Sequence, residues 1–142
     1  MAAKLKYEKY IKRQTKPAKT SAATPVVFEG LKNWGGINLR MYWKNISKPN
    51  LMVDEPHSHD FDEFLCFCSA DPENAFDLGG EVELSLGKEG EKYVIDTGTI
   101  VAVPKGLVHG PLNFKKVKKP MMFSIIYLSP EYVRKPVSKK KK

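Results

Sequence analysis

The sequence predicts an all-β domain, an antiparallel sandwich or barrel, and three observations predict it. Between Val26 and Leu128 the chain reads as eight or so short apolar-rich runs, each bounded by Gly, Pro, Asn or Asp. No convincing amphipathic helix interrupts them. A hydrophobic fraction of 42% and a charged fraction of 28% over 142 residues fit one soluble domain with tails to spare.

The elements follow in order. Residues 1–25 read as a flexible basic arm. Its Lys-rich start allows a short helix over Leu5 to Ile11, which Pro17, Pro25 and the Thr20–Thr24 run close as linker. Val26 to Phe28 is the first strand, and Trp34-Gly35-Gly36 a turn. Ile37 to Trp43 alternates, with Ile37, Leu39, Met41 and Trp43 on one face and Asn38, Arg40 and Tyr42 on the other. His57 to His59 and Glu63 to Cys68 are strand segments, and Ser69 to Gly80 is a long excursion. Glu81 to Leu86 is a half-exposed strand turning through Gly87-Lys88-Glu89-Gly90. Tyr93 to Ile95, Ile100 to Val103 and Met121 to Leu128 complete the set. Residues 131–142 form a basic tail.

Charge is unevenly placed. The chain carries a net +8, yet residues 1–19 hold +6, residues 134–142 hold another +6, and the body between them is −4. Basic ends bind polyanions non-specifically, but the acidic body lacks aromatic–basic interleaving, which argues against nucleic acid as the partner. No stretch reaches the roughly 18 apolar residues of a membrane span, and no apolar run follows the charged start, so a cytoplasmic location is expected. Cys66 and Cys68 are the two cysteines. Being two apart in a strand they point the same way, a poor geometry for a mutual disulfide, and are expected as reduced, buried packing thiols.

The chemistry gathers around the three histidines. Side chains in a strand repeat every two residues, so His57 and His59 project to one face. Glu63, an even step further on, stays on that face. These would give one metal ion two imidazoles and a carboxylate, and His109 is the remaining histidine that can complete the set. Pro104 and Gly106 make a tight turn that delivers His109 at the start of a following strand. Asn113, four residues on, could orient a ligand from behind. Arg40 either faces the interior, where it could clamp a carboxylate, or faces solvent, and Tyr42 shares its side. Phe61, Leu65 and Phe67 share parity with Glu63 and either line a pocket or pack the core.

These two segments resemble the paired motifs of the cupin superfamily. Gly98, Pro104, Gly106, His109 and Asn113 match the second motif throughout. His57, His59 and Glu63 keep the spacing of the first, although Leu51 and Ala70 stand where its flanking glycines are expected. The resemblance covers about residues 26–130. It implies a double-stranded β-helix, a jelly-roll-like antiparallel barrel of six to eight strands, with an ion in one mouth. It also implies a homodimer, which apolar outer strand faces would favour. The donors suit a divalent Fe, Mn, Ni, Zn, Co or Cu ion without choosing among them. Such an ion acts as a Lewis acid. The expected function is therefore a metal-dependent enzyme on a small oxygenated molecule, of dioxygenase, lyase, isomerase or decarboxylase type. The alternative is a module that binds metal or a small ligand without turnover.

Overall fold

Strand alternation resolves into two antiparallel sheets in the computed structural model, which describes residues 5–14 and 25–137. In chain order the strands are β1 (Val26–Glu29), β2 (Arg40–Ile46), β3 (Asn50–Val53), β4 (His57–Ser58), β5 (Glu63–Ser69), β6 (Asp77–Leu86), β7 (Glu91–Thr97), β8 (Thr99–Val103), β9 (His109–Val117), β10 (Met121–Tyr127) and β11 (Lys135–Pro136). One helical turn, α1 (Gly30–Trp34), follows β1. The first sheet runs β1-β2-β10-β5-β8. The second runs β11-β4-β9-β6-β7, with β3 also on β9.

The two sheets face each other, and their ladders do not pass from one into the other. The jelly-roll architecture is therefore an open sandwich, and the closed barrel expected from the sequence is corrected to it. The core sits between the inner faces, where Phe67, Phe114 and Phe123 are fully buried. Their ring centroids lie 5.1 to 6.1 Å apart, and each burial stabilises by roughly 1.5–3 kcal/mol.

Several elements differ from expectation for identifiable reasons. The Glu29 amide donates to the Asn33 side chain at 2.8 Å, and Gly35 adopts φ 66°. This left-handed residue caps a single helical turn, α1, where only a turn at Trp34 was expected. Gly79-Gly80 lies inside β6 and not in a loop: a Cβ on Gly80 would stand 2.0 Å from the Lys116 carbonyl oxygen of β9. Glycine here marks close strand approach beside a bulge, so the excursion after β5 ends at Asp77. Strand β9 continues from His109 to Val117. Cys66 and Cys68 share a face as expected, but it is the outer one, where Cys66 is half-buried and Cys68 exposed. Of the N-terminal arm, the described part forms a 3-10 turn at Glu8–Tyr10 in place of the longer helix. Most of the rest of the arm, and the Lys139–Lys142 run, lie outside the described residues.

Candidate metal centre

Sheet register carries the four expected donors to one end of the sandwich. His57 on β4 pairs directly with His109 at the start of β9. Glu63 opens β5 in the facing sheet, and His59 lies in the short bridge between β4 and β5. All four side chains are buried, with 2 to 5% of each residue exposed. The ligand atoms of His57, His59 and His109 lie within 4.8 Å of one another. Glu63 completes the cluster: its Oε1 is 2.7 Å from His109 Nε2 and its Oε2 is 3.6 Å from His59 Nε2.

Backbone carbonyls set the chemistry of each ring. His57 Nδ1 meets the Glu55 carbonyl at 3.2 Å, His59 Nδ1 the Val133 carbonyl at 2.6 Å, and His109 Nδ1 the Leu107 carbonyl at 2.9 Å. A carbonyl only accepts, so each Nδ1 carries a hydrogen, and a ring that is neutral keeps its lone pair on Nε2. His57 and His59 present such lone pairs, while His109 Nε2, 2.7 Å from Glu63, donates to the carboxylate until a cation displaces its proton; a cation would satisfy the whole set. The donor set therefore fits a divalent transition metal.

Electrostatics point the same way. Burial lowers the His57 pKa to about 4, against the opposing pull of the Glu55 carbonyl, with His109 and His59 lowering it further. Burial likewise depresses His59, partly offset by Val133 and Glu63. Burial also disfavours the charged form of His109, but there the hydrogen bond and charge of Glu63, with the Leu107 carbonyl, leave the pKa raised. Two rings are thus held neutral for ligation, and the third competes for a proton with whatever cation Glu63 faces.

The space above the donors is a small cavity of about 50 Å³, walled by Met52, Val53, Leu65, Leu84, Leu112 and Ile125 and bounded by Tyr127 and Tyr132. Of the side chains expected to line a pocket, Leu65 does so. Phe61 stacks on His59 from outside, with centroids 4.7 Å apart. Phe67 belongs to the aromatic core, and Tyr42 packs edge-on against Phe123 there. Arg40 faces inward with 12% of its side chain exposed, but it lies behind the cavity against the rings of Tyr127 and Tyr132, at 4.8 and 5.1 Å. Asn113 alternates with the buried Leu112 and Phe114 and so points away from the cavity. Backbone carbonyls, and not Asn113, orient the rings.

Neither the apolar wall of Met52, Val53, Leu84, Leu112 and Ile125 nor three residues that touch the donors or close the cavity, Tyr127, Tyr132 and Val133, figures among the site residues read from the sequence. Tyr127 was legible, since it shares parity with Phe123 and Ile125 on a predicted strand. Tyr132 and Val133 fall in what reads as a charged tail, where Tyr132, Arg134 and Pro136 alternating with Val133, Lys135 and Val137 is the one faint strand signal.

No protein-family model matches the sequence, and no curated protein matches it. The similarity is structural. Oxalate decarboxylase of Bacillus subtilis superposes with a TM-score of 0.57 at 12% identity over 87% of this chain. Oxalate oxidase in complex with the substrate analogue glycolate superposes with a TM-score of 0.53 at 15% identity over 88%. The chain spans 30% of the decarboxylase chain and 60% of the oxidase chain. The Bacillus decarboxylase has Mn(II) centres. Both neighbours are cupins, and the fold of this chain is the cupin fold.

Proposed function

We propose that this chain, a cupin by its fold, is a metal-dependent enzyme acting on a small oxygenated molecule, with His57, His59, Glu63 and His109 as the ligands of one divalent transition-metal ion. The observation that carries the reading is the convergence of three buried imidazoles, each pinned at Nδ1 by a backbone carbonyl, on one buried carboxylate. A bound ion would supply Lewis acidity towards a substrate oxygen.

The residues of the chain do the rest. Glu63 offsets one of two formal charges, so the centre retains about +1 by formal counting and attracts an anionic or enolisable oxygen ligand. Six apolar side chains line the cavity and keep the local dielectric low, which strengthens charge interactions inside it. Burial raises the pKa of both Tyr127 and Tyr132, so their hydroxyls stay protonated at neutral pH and act as donors. Among the described residues no Arg or Lys lines the cavity, the side chains that would pair a second carboxylate. The substrate is accordingly small, with a single chelating end and an apolar remainder: a diol, an enol or a keto acid. Dioxygenation, with Fe, and lyase, isomerase or decarboxylase chemistry, with Mn, Ni or Zn, are the reaction classes.

A second reading is a binding module. It is favoured by the absence, among the cavity-lining residues, of any imidazole or carboxylate beyond the four donors, which leaves no independent general base. Metal analysis of protein purified without added ions, then oxygen uptake and product analysis with small diols, enols and keto acids, separates the two. Turnover with any metal supports the enzyme; binding without turnover under every metal supports the module. A protein that takes up none of these ions overturns both.

No helix among the described residues is long and apolar enough to cross a membrane. We further infer a homodimer, through the outer face of the first sheet, and no nucleic-acid partner for the body.

A further inference from the structure

The segment Glu131–Val137 lies on the surface with every residue exposed, yet it reaches the metal centre in two places. Tyr132 bounds the cavity and meets His59 edge-on at 5.4 Å and Tyr127 at 5.6 Å. The Val133 carbonyl takes the Nδ1 hydrogen of His59 at 2.6 Å.

The three imidazoles differ in how they are held. His57 and His109 each bond a carbonyl two residues earlier in their own stretch of chain. Their tautomers are fixed by local geometry. His59 bonds a carbonyl 74 residues further along, so its tautomer depends on a separate segment staying in place.

That segment is fastened by few contacts. β11 pairs with β4 over two residues, with Pro136 opposite His57. Lys135 meets Asp60 at 2.6 Å, both side chains being at least 60% exposed, so the pair contributes little. The firmest hold is Arg40. Its guanidinium lies against the rings of both Tyr127 and Tyr132, and among the described residues its Nε has no hydrogen-bond partner. Its nearest carboxylate is Glu29, at 3.5 Å. A cation desolvated against two aromatic faces is a stronger tether than an exposed ion pair.

We propose that Glu131–Val137 is a strap that completes the metal centre and gates its cavity, with Arg40 and Tyr132 as positioning residues. With the strap down, Val133 holds His59 as a ligand with its Nε2 lone pair available, and Tyr132 stops the mouth of the cavity. With the strap lifted, His59 loses the acceptor that selects its tautomer and the cavity opens. A space of about 50 Å³ holds a few waters, so a ligand of more than a few heavy atoms enters only with the strap raised. The inference rests on the metal reading above and adds the regulation of that site.

The test uses the full chain with Co(II) as probe. Titration followed by calorimetry and by visible absorption compares the parent with Tyr132→Ala, Arg40→Met, Lys135→Glu and Tyr132→Phe. Tyr132→Ala and Arg40→Met are expected to weaken Co(II) binding by about 10- to 100-fold, the range for losing an outer-shell partner, and to change the absorption spectrum. Tyr132→Phe, which keeps the ring face, is expected to restore parent affinity. Lys135→Glu alters only the exposed pair and folds even if the other variants do not; it is expected to weaken binding in the same direction by a smaller factor. Parent-like affinity and spectrum in Tyr132→Ala, Arg40→Met and Lys135→Glu overturns the strap. Imidazole nitrogen NMR of the metal-free protein at one neutral pH gives a readout independent of the ion. His59 is expected as the pure Nδ1–H form in the parent and as a mixture of tautomers in Tyr132→Ala, while His57 and His109 stay unchanged. If the parent binds no Co(II), the metal reading fails and this NMR result alone decides the strap. An unchanged His59 in the variants overturns it.

Discussion

Glu63 is the one carboxylate among the four donors. Its two oxygens face Nε2 atoms of His109 and His59 at 2.7 and 3.6 Å. Glu63→Gln would remove the negative charge opposite a bound dication while keeping an acceptor and the side-chain volume. The expected result is a loss of about 100-fold or more in Co(II) affinity, read by competition with a chelator, with the metal-free variant still cooperative in urea. The imidazoles predict a pH dependence of the metal-free protein. His57 is depressed by burial to about 4 from the ordinary 6.5, so between those values the unfolded chain binds the proton and the folded one does not. Stability from this group is present above 6.5 and is lost as pH falls towards 4. His109 is raised, so its contribution is present below 6.5 and lost as pH climbs through its folded pKa. Urea midpoints of metal-stripped protein from pH 4 to 8 are therefore expected to peak in between. A midpoint that rises steadily on acidification contradicts this assignment of neutral and charged rings.

At the level of elements, the site was legible where its geometry is local and periodic. His57, His59 and Glu63 follow from the two-residue repeat of strands, and His109 from the Pro104–Gly106 turn. What escaped has no local signal. The Val133 carbonyl reaches His59 across most of the chain, and a backbone acceptor has no residue type to betray it. Asn113 has the right residue type at the right spacing, but a register shift between His109 and Leu112 breaks the two-residue repeat and turns it outward. Arg40 could not be placed from alternation, because alternation separates two faces without saying which is inside; its burial is decided by the pairing of β2 with β10, which sets Arg40 opposite Tyr127. The glycines of β6 carried the same ambiguity between loop and close approach. Close approach makes a prediction: Gly80→Ala drives a Cβ to 2.0 Å from the Lys116 carbonyl oxygen and within 3.1 Å of the Met121 methyl. Overpacking of this kind costs about 1–3 kcal/mol. Chemical denaturation measures it, and a variant as stable as the parent would show that β6 and β9 have room to separate.

On the scale of the whole molecule, the outer face of the first sheet is uncharged across two adjacent rows of residues. Register stacks Phe28, Met41, Ile126, Phe64 and Ala102 in one row across all five strands, and Val26, Trp43, Ser124, Cys66 and Ile100 in the next. Trp34 of α1 packs against Phe28 at one edge, at 5.9 Å, while Ile100 at the other is 70% exposed. Neither row contains a charged residue, although the chain as a whole is 28% charged. A contiguous apolar face of this kind on an otherwise charged protein marks an association surface. Because it lacks charges of either sign, it meets a rotated copy of itself without repulsion, the requirement of a two-fold isologous contact. The expected solution mass is therefore twice that of the 16.1 kDa chain. Ile126 sits at the centre of its row on β10, and Ile126→Glu would bury two carboxylates against apolar surface, one from each copy. Light scattering on the eluting protein is expected to show the parent as a dimer and Ile126→Glu as a monomer that still binds Co(II), since Ile126 faces away from the donors. A monomeric parent at micromolar concentration would leave the face to a different partner and sink the dimer.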